Sequence, residues 1–176
     1  MTLVGDAGLT RGIQRITFRK GDKTGHVTVI VAADTAYVRG DTFALIQYMG
    51  FKAVPAAKYG GMWILIPRTD RDYSTVALAV RFSSTLDELA LSGSLSTVPA
   101  RKIEGQRVIG VRGKSSAMGT AAAATLYGQA AAPPLPVEEV LSEGSSRGTV
   151  VFSKWNEPIA ATAPPGAVPI STTGLE

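Results

Sequence analysis

An α+β fold built on a long, mainly antiparallel sheet is predicted by three features of the sequence. Apolar and polar residues alternate toward both ends of the chain, helix signals gather in the middle, and Gly, Asp and Lys clusters punctuate the alternation. Gln14, Ile16 and Phe18 alternate with Arg15, Thr17 and Arg19, which predicts the first strand. The run K-G-D-K-T-G at 20–25 then supplies a hairpin loop into a second strand over 26–31. A turn at Ala33-Asp34 leads into a third strand over 36–39, ending at Gly40. Asp41 is placed to cap a helix reaching Met49, and Gly50 suits the left-handed conformation that stops it.

Residues 62–66 are apolar at every position and close at Pro67, the pattern of a strand covered on both sides. Asp72 caps the next helix, in which Tyr73, Val76, Ala77 and Val80 form a stripe at helical spacing. Ser84 with Asp87 resembles a second capping box and places Leu86 and Leu89 on a further short helix, so helix is expected at 41–49 and 73–91. Strands return at 95–103, 106–112, 122–127, 135–141 and 149–152. Pro158, Pro164, Pro165 and Pro169 leave the tail extended at most.

The 176 residues suit a single domain over 1–157 followed by a Pro-rich extended segment over 158–176. Eighteen Lys and Arg against 14 Asp and Glu give a net charge of +4, a mild excess that fits anionic surfaces and is weak for a nucleic-acid partner. No cysteine excludes disulfides, thiolate metal sites and cysteine nucleophiles, and a single histidine excludes multi-histidine metal sites. No metal or cofactor site is expected. Nowhere do 18 apolar residues run unbroken, so the chain as given reads as soluble.

Several strands are apolar on both faces: Val27, Val29 and Val31 against Ile30, Trp63 and Leu65 against Ile64 and Ile66, Val108 against Ile109 and Val111. Two or three short helices cover only part of one face, and the remainder is either a second packed layer or a cavity for an apolar ligand.

No catalytic constellation is expected. Gly144-Ser145-Ser146-Arg147-Gly148 matches G-x-S-x-G, but no histidine follows it and it reads as a hairpin turn. Gly113-Lys114-Ser115 lacks the first glycine of a phosphate loop, because Val108 stands there. Glu138 and Glu139 are neighbours in a strand and face opposite ways, so they cannot act as an acid/base pair. Arg39-Gly40-Asp41 ends a strand and caps a helix. Arg11, Arg15, Arg19, Lys20 and Lys23 concentrate positive charge; this basic surface is either a solvated sheet face or an attachment to anionic headgroups at a membrane surface.

Sequence pattern adds a family. The strand D-T-A-Y-V-R-G-D at 34–41 runs into a helix, and G-M-W-I-L-I-P follows at 61–67. Leu126-Tyr127, P-P-L-P-V at 133–137, V-F-S-K-W-N-E-P at 151–158 and A-P-P-G-A at 163–167 come later. In this order they resemble the LppX/LprG-type lipoproteins of actinobacterial cell envelopes, over about residues 12–171. The resemblance implies a LolA-like half-barrel, a curved antiparallel sheet wrapped around helices with a hydrophobic cavity between, and a non-enzymatic role in binding or carrying a lipid or other amphiphile. It also implies an extracytoplasmic protein, anchored through an N-terminal lipidated cysteine in a longer precursor, since no lipobox cysteine is present here. Family members carry a helix and a strand before the segment corresponding to 2–6, and their absence is expected to leave a sheet edge open to pairing. The expected cavity wall comprises Phe43, Ile46, Trp63, Leu65, Val76 and Val80. The alternative is an interaction module with a filled core that binds another envelope protein through its basic face or sheet edge.

Overall fold

A computed structural model of the chain describes residues 1–174 apart from 79, 82, 83, 85, 86, 88, 116–121 and 145. The fold is α+β, with two mostly antiparallel sheets, neither closed into a barrel, and three short helices among the described residues. Where the sequence predicts one domain over 1–157 and a separate tail, the chain divides into two compact units, Met1–Thr85 with Ile159–Glu176 and Leu86–Pro158.

In the first unit β1 (Thr2–Ala7), β2 (Gly12–Lys20), β3 (Lys23–Ala32) and β4 (Thr35–Gly40) form an antiparallel meander. The β2–β3 loop is only two residues because Gly21 takes φ +60, so both strands extend into the segment expected to be loop. Helices α1 (Thr42–Gln47) and α2 (Ala53–Tyr59) lead to β5 (Ile64–Pro67), antiparallel to β4, and α3 (Tyr73–Leu78) follows. Asp41 caps α1 as expected: its Oδ1 accepts from Ala44 N–H at 2.7 Å, while Oδ2 accepts from His26 N–H at 2.7 Å. The sequence signals did not mark α2, whose Pro55 lies in the first turn, where a missing N–H breaks no helical bond. Ser84, Asp87 and Leu89 are helical, while Leu86 and the other residues between them lie outside the described residues.

Strand alternation builds the core of this unit. Ile16, Val27, Val29, Val31, Val38, Ile64 and Ile66 share one face, and Leu45, Ala56, Tyr59, Tyr73, Val76, Ala77 and Val80 pack on it. The approach is close at Gly12, where a Cβ would stand 2.5 Å from the Val80 carbonyl oxygen.

The tail is more ordered than its prolines suggest. Residues Val168–Pro169 form β11, parallel to β5 at the end of the sheet order β1-β2-β3-β4-β5-β11, and Val168 N–H donates to Trp63 O at 2.8 Å. A 3-10 turn, Ile170–Thr172, then buries Ile170 in the helix-side core, and Tyr59 Oη donates to Thr172 O at 3.3 Å.

The second unit is an antiparallel meander of β6 (Ser92–Ile103), β7 (Gln106–Ser115), β8 (Ala122–Gln129), β9 (Pro136–Glu143) and β10 (Ser146–Val151). Its five strands follow the predicted order. Pro99 is tolerated because β6 is an edge strand whose pairing is irregular between Val98 and Arg101.

Candidate functional site

The six residues expected to wall one cavity do not come together. Val76 and Val80 belong to the filled helix-side core, with Ile46 packed against it. Phe43 instead stacks on Phe18, ring centroids 5.7 Å apart. Trp63 and Leu65 occupy the other face of the sheet, packed with Ile30, Tyr37 and Ala161 and flanked by Ile159 and Ala167. The reason is the two-residue period of β5: Ile64 and Ile66 face the helices, so their neighbours cannot. The second apolar face is covered by the tail.

An apolar opening lies in the second unit. It is a pocket of about 420 Å³ against one face of β7, β8 and β9. Ile109 and Val111 stand directly across from Gly128 and Leu126, and Pro136 pairs with Gly128 from β9. The far wall is the loop from Ala130 to Pro134, held by Gln129 N–H donating to Leu135 O at 2.9 Å and by Ala130 N–H donating to Arg107 O at 3.1 Å. Among the described residues its lining carries the amide of Gln129 and no ionisable side chain, so the pocket suits hydrocarbon. Ile109 remains 48% exposed at its rim. A smaller opening of about 230 Å³ in the first unit is polar, with Arg68 paired to Asp34 at 3.0 Å and Tyr73 and Arg81 beside them.

Glu138 and Glu139 do face opposite ways. Glu138 pairs with Arg101, whereas Glu139, across from Leu126 on the pocket face, is 1% exposed. Of the G-x-S-x-G stretch, Gly144 takes φ +56 just after β9, Ser146, Arg147 and Gly148 are paired as the start of β10, and Ser145 lies outside the described residues, while Gly113-Lys114-Ser115 is the end of β7 rather than a phosphate-binding loop. Trp155 clamps the end of β9, its Nε1–H donating to Pro136 O at 2.9 Å while its ring stacks on Phe152.

The expected basic surface is divided by the same two-residue period. Arg15 and Arg19 share one face of the first sheet, where Arg15, Thr28 and Arg39 stand in a cross-strand row; Arg39, which the sequence reading did not include, approaches the Trp63 ring at 6.0 Å. Lys20 and Lys23 are on the opposite face beside α1, and Arg11 is exposed ahead of β2. The pocket went unnoticed in the sequence although Ala130-Ala131-Ala132-Pro133-Pro134 carried a signal, a loop without a polar side chain where surface loops are ordinarily polar.

No family model matches the chain, and no curated protein is significantly similar to it.

Proposed function

We propose that this protein is a non-enzymatic, extracytoplasmic carrier that holds the hydrocarbon part of an amphiphile, an acyl chain, against the second sheet. The observation that carries the reading is the pocket of about 420 Å³ walled by Ile109, Val111, Leu126 and the Ala/Pro loop. Its volume falls among those of small-molecule sites, and its lining offers burial in place of chemistry. Each ~100 Å² of apolar ligand surface hidden there contributes about 2.5 kcal/mol, offset by the cost of ordering the chain. The two antiparallel sheets and short helices support the finer reading of a LolA-like half-barrel of the LppX/LprG type, anchored in its precursor form by a lipidated cysteine.

Native mass spectrometry of the purified protein, followed by organic extraction, tests the proposal directly. A bound species that extracts into solvent supports it. A ligand-free protein that also fails to bind a fluorescent fatty acyl probe overturns it. The interaction-module reading has its own observation, the filled helix-side core beside the exposed β1, where Leu3 and Val4 face solvent. Capture of an envelope protein by the ligand-free chain, lost on β1 substitution, would favour that reading.

A further inference from the structure

We propose that the β2–β3 hairpin tip and α1 form a docking surface for an anionic lipid bilayer. Phe18, Phe43 and Tyr48 stack into one cluster, with centroid separations of 5.7 Å for Phe18–Phe43 and 5.6 Å for Phe18–Tyr48. The Phe18 ring lies across Gly25, where a Cβ would meet its Cζ at 2.5 Å, so glycine is what lets the ring lie flat on the hairpin. Two lysines stand at the edge of this cluster. Lys20 Nζ donates to Gln47 Oε1 at 2.6 Å, and Lys23 Nζ lies 5.8 Å from the Phe43 ring centre. Arg19 adds a third cation on the other side of the hairpin, and Asp22 is the acid between them.

Tyr48 is 45% exposed, and Phe18 and Phe43 are half-buried, so aromatic surface and ammonium groups reach solvent together. That is the composition of a headgroup-level contact, in which aromatic rings enter the interface and lysines meet lipid phosphates. A nucleic acid fits less well, because these rings are stacked on one another instead of being spaced along a groove to receive successive bases. The tip also offers three cations and one acid, not an extended basic stripe. The proposal stands independently of the acyl pocket, which belongs to the other compact unit.

Co-sedimentation of the full chain with vesicles is the test, using pure phosphatidylcholine and phosphatidylcholine containing about one third phosphatidylglycerol. The protein should pellet with the anionic vesicles only, and release at about 0.5 M salt. Lys20→Gln with Lys23→Gln should weaken partitioning roughly 25-fold, about fivefold per lysine, and Tyr48→Ser should weaken it further. Arg112→Gln with Lys114→Gln, exposed cations of the second unit, should change nothing. Equal pelleting with neutral vesicles, an unaffected tip variant, an equal loss from the Arg112/Lys114 pair, or tighter retention of a single-stranded oligonucleotide would each overturn the proposal.

Discussion

The guanidinium carbon of Arg101 lies 3.9 Å from the centre of the Tyr127 ring, and the same side chain pairs with the Glu138 carboxylate. The Tyr127 ring in turn lies over its cross-strand partner Gly110, where a Cβ would stand 2.3 Å from Val98 Cγ2 and 2.7 Å from Tyr127 Cε1. Three strands, β6, β7 and β8, are thereby tied through one ring. Gly110→Ala should displace that ring and destabilise the second unit by about 1–3 kcal/mol. Arg101→Ala, which removes a partly exposed contact, should cost about 1 kcal/mol. Urea denaturation of both variants checks the order.

Gly12 is a sharper test of close approach. A Cβ there meets two backbone oxygens, Val80 O at 2.5 Å and Asp6 O at 2.8 Å, neither of which can rotate away. Gly12→Ala should lower stability by about 2 kcal/mol or more, while Gly148→Ala, whose Cβ meets nothing closer than 3.8 Å, should stay within about 0.5 kcal/mol of the parent. Denaturation midpoints measured side by side would decide it.

Asp41 satisfies two backbone donors at once, one on α1 and one on β3. Asp41→Ala should cost about 1–3 kcal/mol, more than the loss of a simple cap, because the N–H of His26 is released together with that of Ala44. Faster amide hydrogen exchange at both His26 and Ala44 would show that the two bonds fail together.

Tryptophan substitution separates core from pocket. Val80 is 2% exposed in a filled core, so Val80→Trp should overpack it and destabilise the fold by about 1–3 kcal/mol or more. Leu126→Trp, entering open space, should leave the unfolding midpoint nearly unchanged and abolish binding of a fluorescent fatty acyl probe. Probe binding that survives in Leu126→Trp would move the ligand elsewhere.

Much of the strand order was legible in the sequence because a half-buried strand advertises itself every second residue, as Ile16 does between Arg15 and Thr17. Where both faces are apolar that signal disappears. Nothing local in Trp63-Ile64-Leu65-Ile66 states which pair meets the helices, and the answer came from residues about a hundred positions later, Ala161 and Ala167, which cover Trp63 and Leu65. Likewise, β11 is two residues long in a Pro-rich stretch and is defined by its partner β5 rather than by its own composition. The pocket was hidden for a related reason: it depends on how the loop after β8 folds back over Ile109 and Leu126, which periodicity does not encode.

The second unit is an insertion in the first, and this has a consequence for biosynthesis. A ribosome makes residues 1–85 long before Val168, Pro169 and Ile170, which supply the last strand of that sheet and a buried residue of its core. During translation of the insert, the early segment waits with an unfinished edge at β5 and part of its apolar surface uncovered. The insert, whose strands pair only with sequence neighbours, can fold first as it emerges, whereas the outer unit closes through contacts of high sequence separation and last of all. Nascent chains arrested before and after residue 170 should therefore differ in protease resistance at 1–85 and not at 92–151.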